Sequence, residues 1–129
     1  MTVELTLLTL ATLLQAIYFA VYSISACLQV GTKSAMGPRD TPVQLTGFAG
    51  RAQRALNNQF EALILFAIAI LVLTFSDQTD GHTAIAATLF LIARVLYLPA
   101  YLFGLTPWRT LIWTIGFTAT LVLLFKALI

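Results

Sequence analysis

The sequence predicts an all-α integral membrane protein, a four-helix bundle forming one domain over residues 1–129. Three observations carry this reading. Of 129 residues, 60% are hydrophobic and only 9% are charged, the mean hydropathy is +0.93, and the apolar residues gather in long runs broken by short turn-rich segments. A soluble domain of this size needs roughly a quarter of its residues charged. The composition excludes a water-soluble enzyme, a nucleic-acid binder and a disordered chain, because lipid must face most side chains.

The first run, Leu5 to Val30, lies between Glu4 and Lys33 and is long enough to cross a hydrocarbon layer of ~30 Å, which needs ~20 helical residues. It is read as a retained span. Met1 to Leu5 contains no Lys or Arg, and the run exceeds the roughly 7–15 apolar residues of a signal peptide. The second uncharged run, Ala62 to Ser76, has only 15 residues and reaches ~22 Å at 1.5 Å per residue. A helix there must take Glu61, Asn58 and Asn57 into or against the hydrocarbon. Between His82 and Arg94 there are 11 residues, so a third spanning helix reaching Tyr101 must contain Arg94. The fourth run, Thr110 to Phe125, spans with Arg109 and Lys126 at its ends. The predicted helices lie near 5–30, 47–75, 82–103 and 108–128. Gly37, Pro38 and Pro42 mark the first connection, while the two later connections are short, which favours antiparallel neighbours.

Six of the seven basic residues (Lys33, Arg39, Arg51, Arg54, Arg94 and Arg109) fall toward one side, leaving Lys126 on the other with Glu4, Asp77 and Asp80. The positive-inside rule then puts both termini on the non-cytoplasmic side. The net charge of +2 is a topology signal and calls for no nucleic-acid partner. Cys27 is the one cysteine, read as a small apolar filler, and no Cys/His cluster suggests a metal. His82 reads as a solvated cap residue, Trp108 and Tyr97 as interfacial anchors, and Gly116 as a point of close helix contact.

Arg51, Arg54, Asn58 and Glu61 recur at i, i+3, i+7 and i+10, within about 80° of one another on a helical wheel. Arg94, Tyr97 and Tyr101 form a similar face on the third span, and Arg109, Thr110 and Trp113 open the fourth at the same level. Helical rise puts Glu61 and Arg94 at comparable depths. An unpaired charge at a helix centre costs roughly 2.5–3.5 kcal/mol, so pairing across helices or a polar cavity is expected. Two readings follow. The residues either line a basic recess for a small, multiply charged anion carrying its own ammonium group, or the arginines snorkel to headgroups while Glu61 and Arg94 form a structural ion pair.

These motifs resemble one family. Arg51-x-x-Arg54-x-x-x-Asn58-x-x-Glu61, Arg94 followed by Tyr101, and Pro107-x-Arg109-Thr110 are similar to the MAPEG superfamily, membrane-associated proteins in eicosanoid and glutathione metabolism, over nearly the whole chain. The resemblance implies a homotrimer of four-helix subunits with glutathione as co-substrate. Arg51, Arg54, Asn58, Glu61, Arg94, Tyr101 and Arg109 would contact it, Glu61 through the ligand's amino group. The implied chemistry is thiol activation, with Arg109 as the cation beside the sulfur and Thr110 as a further hydrogen-bond donor. The second substrate would be a lipophilic electrophile arriving from membrane lipid, and the reaction that of a transferase or peroxidase. Asn57 stands where the prostaglandin-synthase branch adds a basic residue and Tyr97 where it has histidine, which points away from eicosanoid synthesis. Gly37-Pro38-Arg39-Asp40 resembles a bacterial branch, implying the inner membrane.

Two other functions are consistent with four spans. A non-catalytic lipid-binding or scaffold protein would keep the fold without turnover. A small proton-coupled exporter is less consistent, because familiar exporters of this size resemble one another in carrying a carboxylate in helix one, where this chain offers Gln15, and their dual topology needs a weak charge bias. The topology is testable by single-cysteine labelling in a Cys27→Ser background. An impermeant reagent applied to intact cells is expected to modify Gln78→Cys and spare Gly37→Cys; the opposite pattern reverses the orientation.

Overall fold

The computed structural model describes residues 1–31, 37 and 44–129. Lys33, Arg39 and most of the Gly37–Asp40 segment used in the sequence reading lie outside the described residues. Among the described residues there are four helices: α1 (Val3–Val30), α2 (Gly47–Phe75), α3 (Gly81–Leu102) and α4 (Trp108–Leu128). Each is long and apolar enough to cross a membrane, and the bounds differ from the expected ones by two residues at most.

Local chemistry explains the ends. The Thr2 hydroxyl accepts the Leu5 N–H at 3.2 Å and starts α1. Asp80 starts α3 with a capping box: its carboxylate accepts the N–H groups of His82 and Thr83, and the Thr83 hydroxyl accepts the Asp80 N–H at 2.8 Å. At the other end of α1, the Gln29 carboxamide pairs twice with the Thr46 backbone, at 2.8 and 2.9 Å, bringing the start of α2 beside the end of α1. Gly50 has no room for a side chain there, since a Cβ would meet the Leu45 carbonyl oxygen at 2.9 Å.

α1 packs against α2 and α3, and α4 packs against α3 and α2. The interior has two apolar layers. One, toward the end carrying both termini, joins Leu7, Phe66, Ile70, Phe90 and Leu123; Phe66 and Phe90 stack with ring centroids 4.0 Å apart. The other, toward the opposite end, joins Tyr18, Ala55, Leu56, Tyr97 and Leu98. Small residues at the seams let the helices approach closely, as membrane packing favours. Ala11, Ala69 and Ala87 are fully buried, and a Cβ on Gly116 of α4 would lie 3.4 Å from that of Ala93 on α3.

Polar contacts lock the end that carries the termini. Glu4, read from sequence as a flanking charge, is only 4% exposed and accepts from the Thr83 hydroxyl at 2.8 Å. Lys126, near the end of α4, meets the Asp80 carboxylate at 2.9 Å. Helices α1, α3 and α4 are thus tied together at one level.

The Lys126 ammonium, together with the backbone donors of the cap, holds the Asp80 carboxyl below its ordinary value. A depressed folded-state pKa stabilises the fold above the unfolded value (~3.9), and that contribution disappears as the pH falls through the folded value. Thermal unfolding in detergent is therefore expected to show Asp80→Asn less stable than wild type at neutral pH. The gap should close once the pH drops well below the ordinary aspartate range.

Candidate functional site

Between the two apolar layers lies a polar level that the helices cannot avoid. Arg94, on α3, is 2% exposed, and Gln59, on α2, is fully buried. The Arg94 Nε donates to Gln59 Oε1 at 2.7 Å, and its Nη1 donates to Asn58 Oδ1 at 2.9 Å. The guanidinium lies over the Tyr97 ring, 4.3 Å from its centroid. From α1, the Tyr18 hydroxyl donates to the Arg94 backbone carbonyl at 2.6 Å.

Of the two readings drawn from sequence, the structural ion pair is not formed. Glu61 accepts from no arginine among the described residues; it is exposed on the single chain. The acceptors for Arg94 are two neutral amides, and Gln59 was absent from the sequence-derived set. Gln59 sits about 80° from Arg51 on the side away from the polar stripe, so the stripe itself does not reveal it. A buried amide within reach of an obligatory buried arginine was the available signal. Tyr97 also departs from its expected role: it is 4% exposed and stands in the interior, whereas Trp108, 60% exposed at the start of α4, has the exposure an interfacial anchor needs.

Toward the end of the bundle opposite the termini, a recess of about 270 Å³ opens among Arg54, Asn58, Tyr97, Tyr101, Arg109, Thr110 and Trp113. Tyr101 is its centre. The Arg54 Nε donates to the Tyr101 hydroxyl at 3.2 Å, and the Arg109 guanidinium lies over the same ring, 4.7 Å from its centroid. Two cations from α2 and α4 therefore converge on one phenol of α3. Among the described residues no carboxylate lines the recess, so the arrangement favours a ligand that brings its own negative charge.

A second cavity, of about 120 Å³, runs inward beside the recess and is lined mainly by apolar side chains, among them Leu65, Phe90, Trp113 and Phe117, with Glu61 and Arg94 also on its wall. Asn58 and Trp113 line both spaces. Of the expected contact residues, the fold brings Arg54, Asn58, Tyr101, Arg109 and Thr110 to the recess. Glu61 and Arg94 line the neighbouring cavity. Arg51 stands apart from both, donating from Nε to the Leu102 carbonyl at 2.7 Å at the end of α3.

A family model, the MAPEG family, matches residues 3–129. The chain belongs to the MAPEG family. That family of membrane proteins is associated in general with glutathione, and membership agrees with the four apolar helices. No curated protein and no solved structure matches the chain. Within this MAPEG chain, the recess and the buried arginine level share α2 and α3; α1 adds Tyr18 to the arginine level, and α4 adds Arg109, Thr110 and Trp113 to the recess.

Gln59→Leu is expected to destabilise this MAPEG protein by about 1–3 kcal/mol, because the Arg94 Nε is left buried without an acceptor. Gln59→Glu keeps an acceptor and is expected to lose less. Unfolding by SDS in mixed micelles measures both differences.

Proposed function

We propose that the protein is a membrane glutathione-dependent transferase or peroxidase acting on lipophilic electrophiles. The observation that carries the reading is the recess itself: two arginines converge on Tyr101, with Asn58 and Thr110 beside them and no carboxylate in the lining among the described residues. Glutathione has two carboxylates, one ammonium group and a thiol. Its carboxylates suit Arg54 and the donors around it. The ammonium suits Glu61, which lies one helical turn from Asn58 and has no cationic partner among the described residues.

Arg109 is assigned as the cation beside the sulfur. A positive charge near a thiol favours the thiolate, which is the nucleophile. In the transferase reaction, the thiol gives its proton to water, the thiolate attacks an electrophilic carbon and a C–S bond forms; a bond from that carbon breaks, its electron pair leaving with the departing group or staying on the opened or reduced acceptor, which takes up a proton from water. Thr110, adjacent in sequence and also on the recess, offers a hydroxyl to the same region. A lipophilic acceptor has an apolar place nearby, in the cavity that shares Asn58 and Trp113 with the recess.

The assembled form is proposed to be a homotrimer in the bacterial inner membrane, with both termini on the non-cytoplasmic side. Arg54, Asn57 and Glu61 are all exposed along α2 of the single chain. Polar groups at membrane depth are costly against lipid, and neighbouring copies or bound ligand would cover them.

Glutathione is expected to raise the apparent thermal stability of purified, lipid-reconstituted protein, since binding to the folded state alone must do so. Arg109→Leu should diminish the ultraviolet thiolate absorbance near neutral pH and slow conjugation by about tenfold for each unit by which the thiol pKa rises, with a smaller change in affinity. Arg54→Leu should weaken binding and alter the bound thiol less. If correctly folded wild type shows neither binding nor thiolate absorbance, the enzymatic reading is wrong and a scaffold role for the same fold gains.

A further inference from the structure

An asparagine side chain is ambiguous to a ligand, because it offers an acceptor oxygen on one side and a donor NH₂ on the other. At Asn58 the protein removes that ambiguity. Arg94 carries only donors, so the Asn58 atom facing Nη1 at 2.9 Å must be the carbonyl oxygen. Arg94 cannot easily turn away: Gln59 Oε1 takes its Nε at 2.7 Å, the Tyr97 ring lies against its guanidinium, and the whole side chain is buried. The Asn58 NH₂ has no partner in the protein among the described contacts, and Asn58 lines the recess.

Around it, Arg54 and Arg109 only donate, and the Trp113 indole offers at most a donor. The hydroxyls of Tyr97, Tyr101 and Thr110 can turn to give or take a hydrogen bond, and that of Tyr101 already accepts from Arg54. Among the described lining residues Asn58 is the one amide, a group whose donor and acceptor sides are fixed once its oxygen is held.

We propose that Arg94 is a positioning residue: braced by Gln59, it pins the Asn58 carbonyl and obliges Asn58 to present its N–H groups to the recess, so that this position takes an acceptor oxygen of the ligand and rejects an amine. The inference rests on the glutathione reading above and deepens it. It assigns Asn58 to a carboxylate or peptide carbonyl oxygen of the ligand, leaving the ammonium to Glu61. Arg94 acts through Asn58 and needs no contact of its own with the ligand.

The test is calorimetric titration of glutathione into the full chain in lipid nanodiscs. Asn58→Ala is expected to weaken binding about tenfold, the worth of one good hydrogen bond. Asn58→Asp, nearly identical in shape and still able to accept from Arg94, should weaken it further, since a carboxylate then faces the ligand oxygen. Arg94→Leu should cost about tenfold in the wild-type background and less than about twofold when Asn58 is already alanine, because coupled residues are not additive. Arg94→Lys, which can still donate to the carbonyl, should recover most of the loss.

Wild-type-like affinity in Asn58→Asp would overturn the proposal, as would an Arg94→Leu penalty of equal size in both backgrounds. The Asn58→Asp comparison decides the matter even if Arg94→Leu does not fold. Wild type that binds no glutathione removes the parent reading and this one together, whereas wild-type binding without the predicted order removes this one alone.

Discussion

A guanidinium in the middle of an apolar bundle is the constraint on which the rest depends. Hydrocarbon supplies nothing for Arg94 to bond, so the protein must provide its acceptors from within. It does so with two neutral amides, Gln59 and Asn58, and the face of a tyrosine. A carboxylate would have given a stronger pair but would have been consumed by it. With amides, the positive charge is held while Glu61 remains uncommitted on the wall of the adjoining cavity. The cost of one buried charge thus fixes the spacing of α2 and α3 and the setting of the Tyr97 ring. Through Asn58, it also fixes the polarity of the recess floor.

Much of this was legible in the amino-acid order. Hydrophobic runs bounded by Glu4, Glu61, Asp77 and Arg109 define where helices cross, since a lipid-facing helix has few other ways to satisfy its backbone. Shortage of uncharged residues before Arg94 obliged that residue to enter the interior, and it is there. Its partner was harder to read. Asn58 and Gln59 point about 100° apart on α2, so a face-by-face analysis keeps one and discards the other. Arg94 uses both because its planar fork donates in two directions. Glu4 escaped for a similar reason: its burial depends on Thr83, 79 residues away, and no local pattern announces that meeting. Tyr97 was ambiguous because a tyrosine one turn from a membrane boundary looks the same from sequence whether it faces headgroups or an arginine.

The recess and the apolar cavity show how one helix can serve two kinds of chemistry. Along α2, Arg54, Asn58 and Glu61 follow one another at turn spacing, the cation on the recess, the amide on both spaces and the carboxylate on the apolar cavity. Across from them, Trp113 offers an indole to both spaces and stacks on Phe117, with centroids 5.0 Å apart. A polar ligand and an apolar one can therefore lie against opposite sides of the same two residues. Proximity of this kind is what a reaction between a charged thiol and a lipophilic partner requires.

The bonds among Glu4, Thr83, Asp80 and Lys126 have a mechanical meaning as well as a structural one. They cinch three helices at the end that carries both termini, while the recess lies at the other end of α3 and α4. The bundle is a pair of tongs with its rivet at one end and its jaws at the other. A 21-residue helix is about 30 Å long, so a change of only ~2° at the rivet carries the jaw by ~1 Å. That is the scale on which a hydrogen bond is made or lost. The ties at one end of α3 and α4 thus bear geometrically on the spacing of Tyr101 and Arg109 at the other.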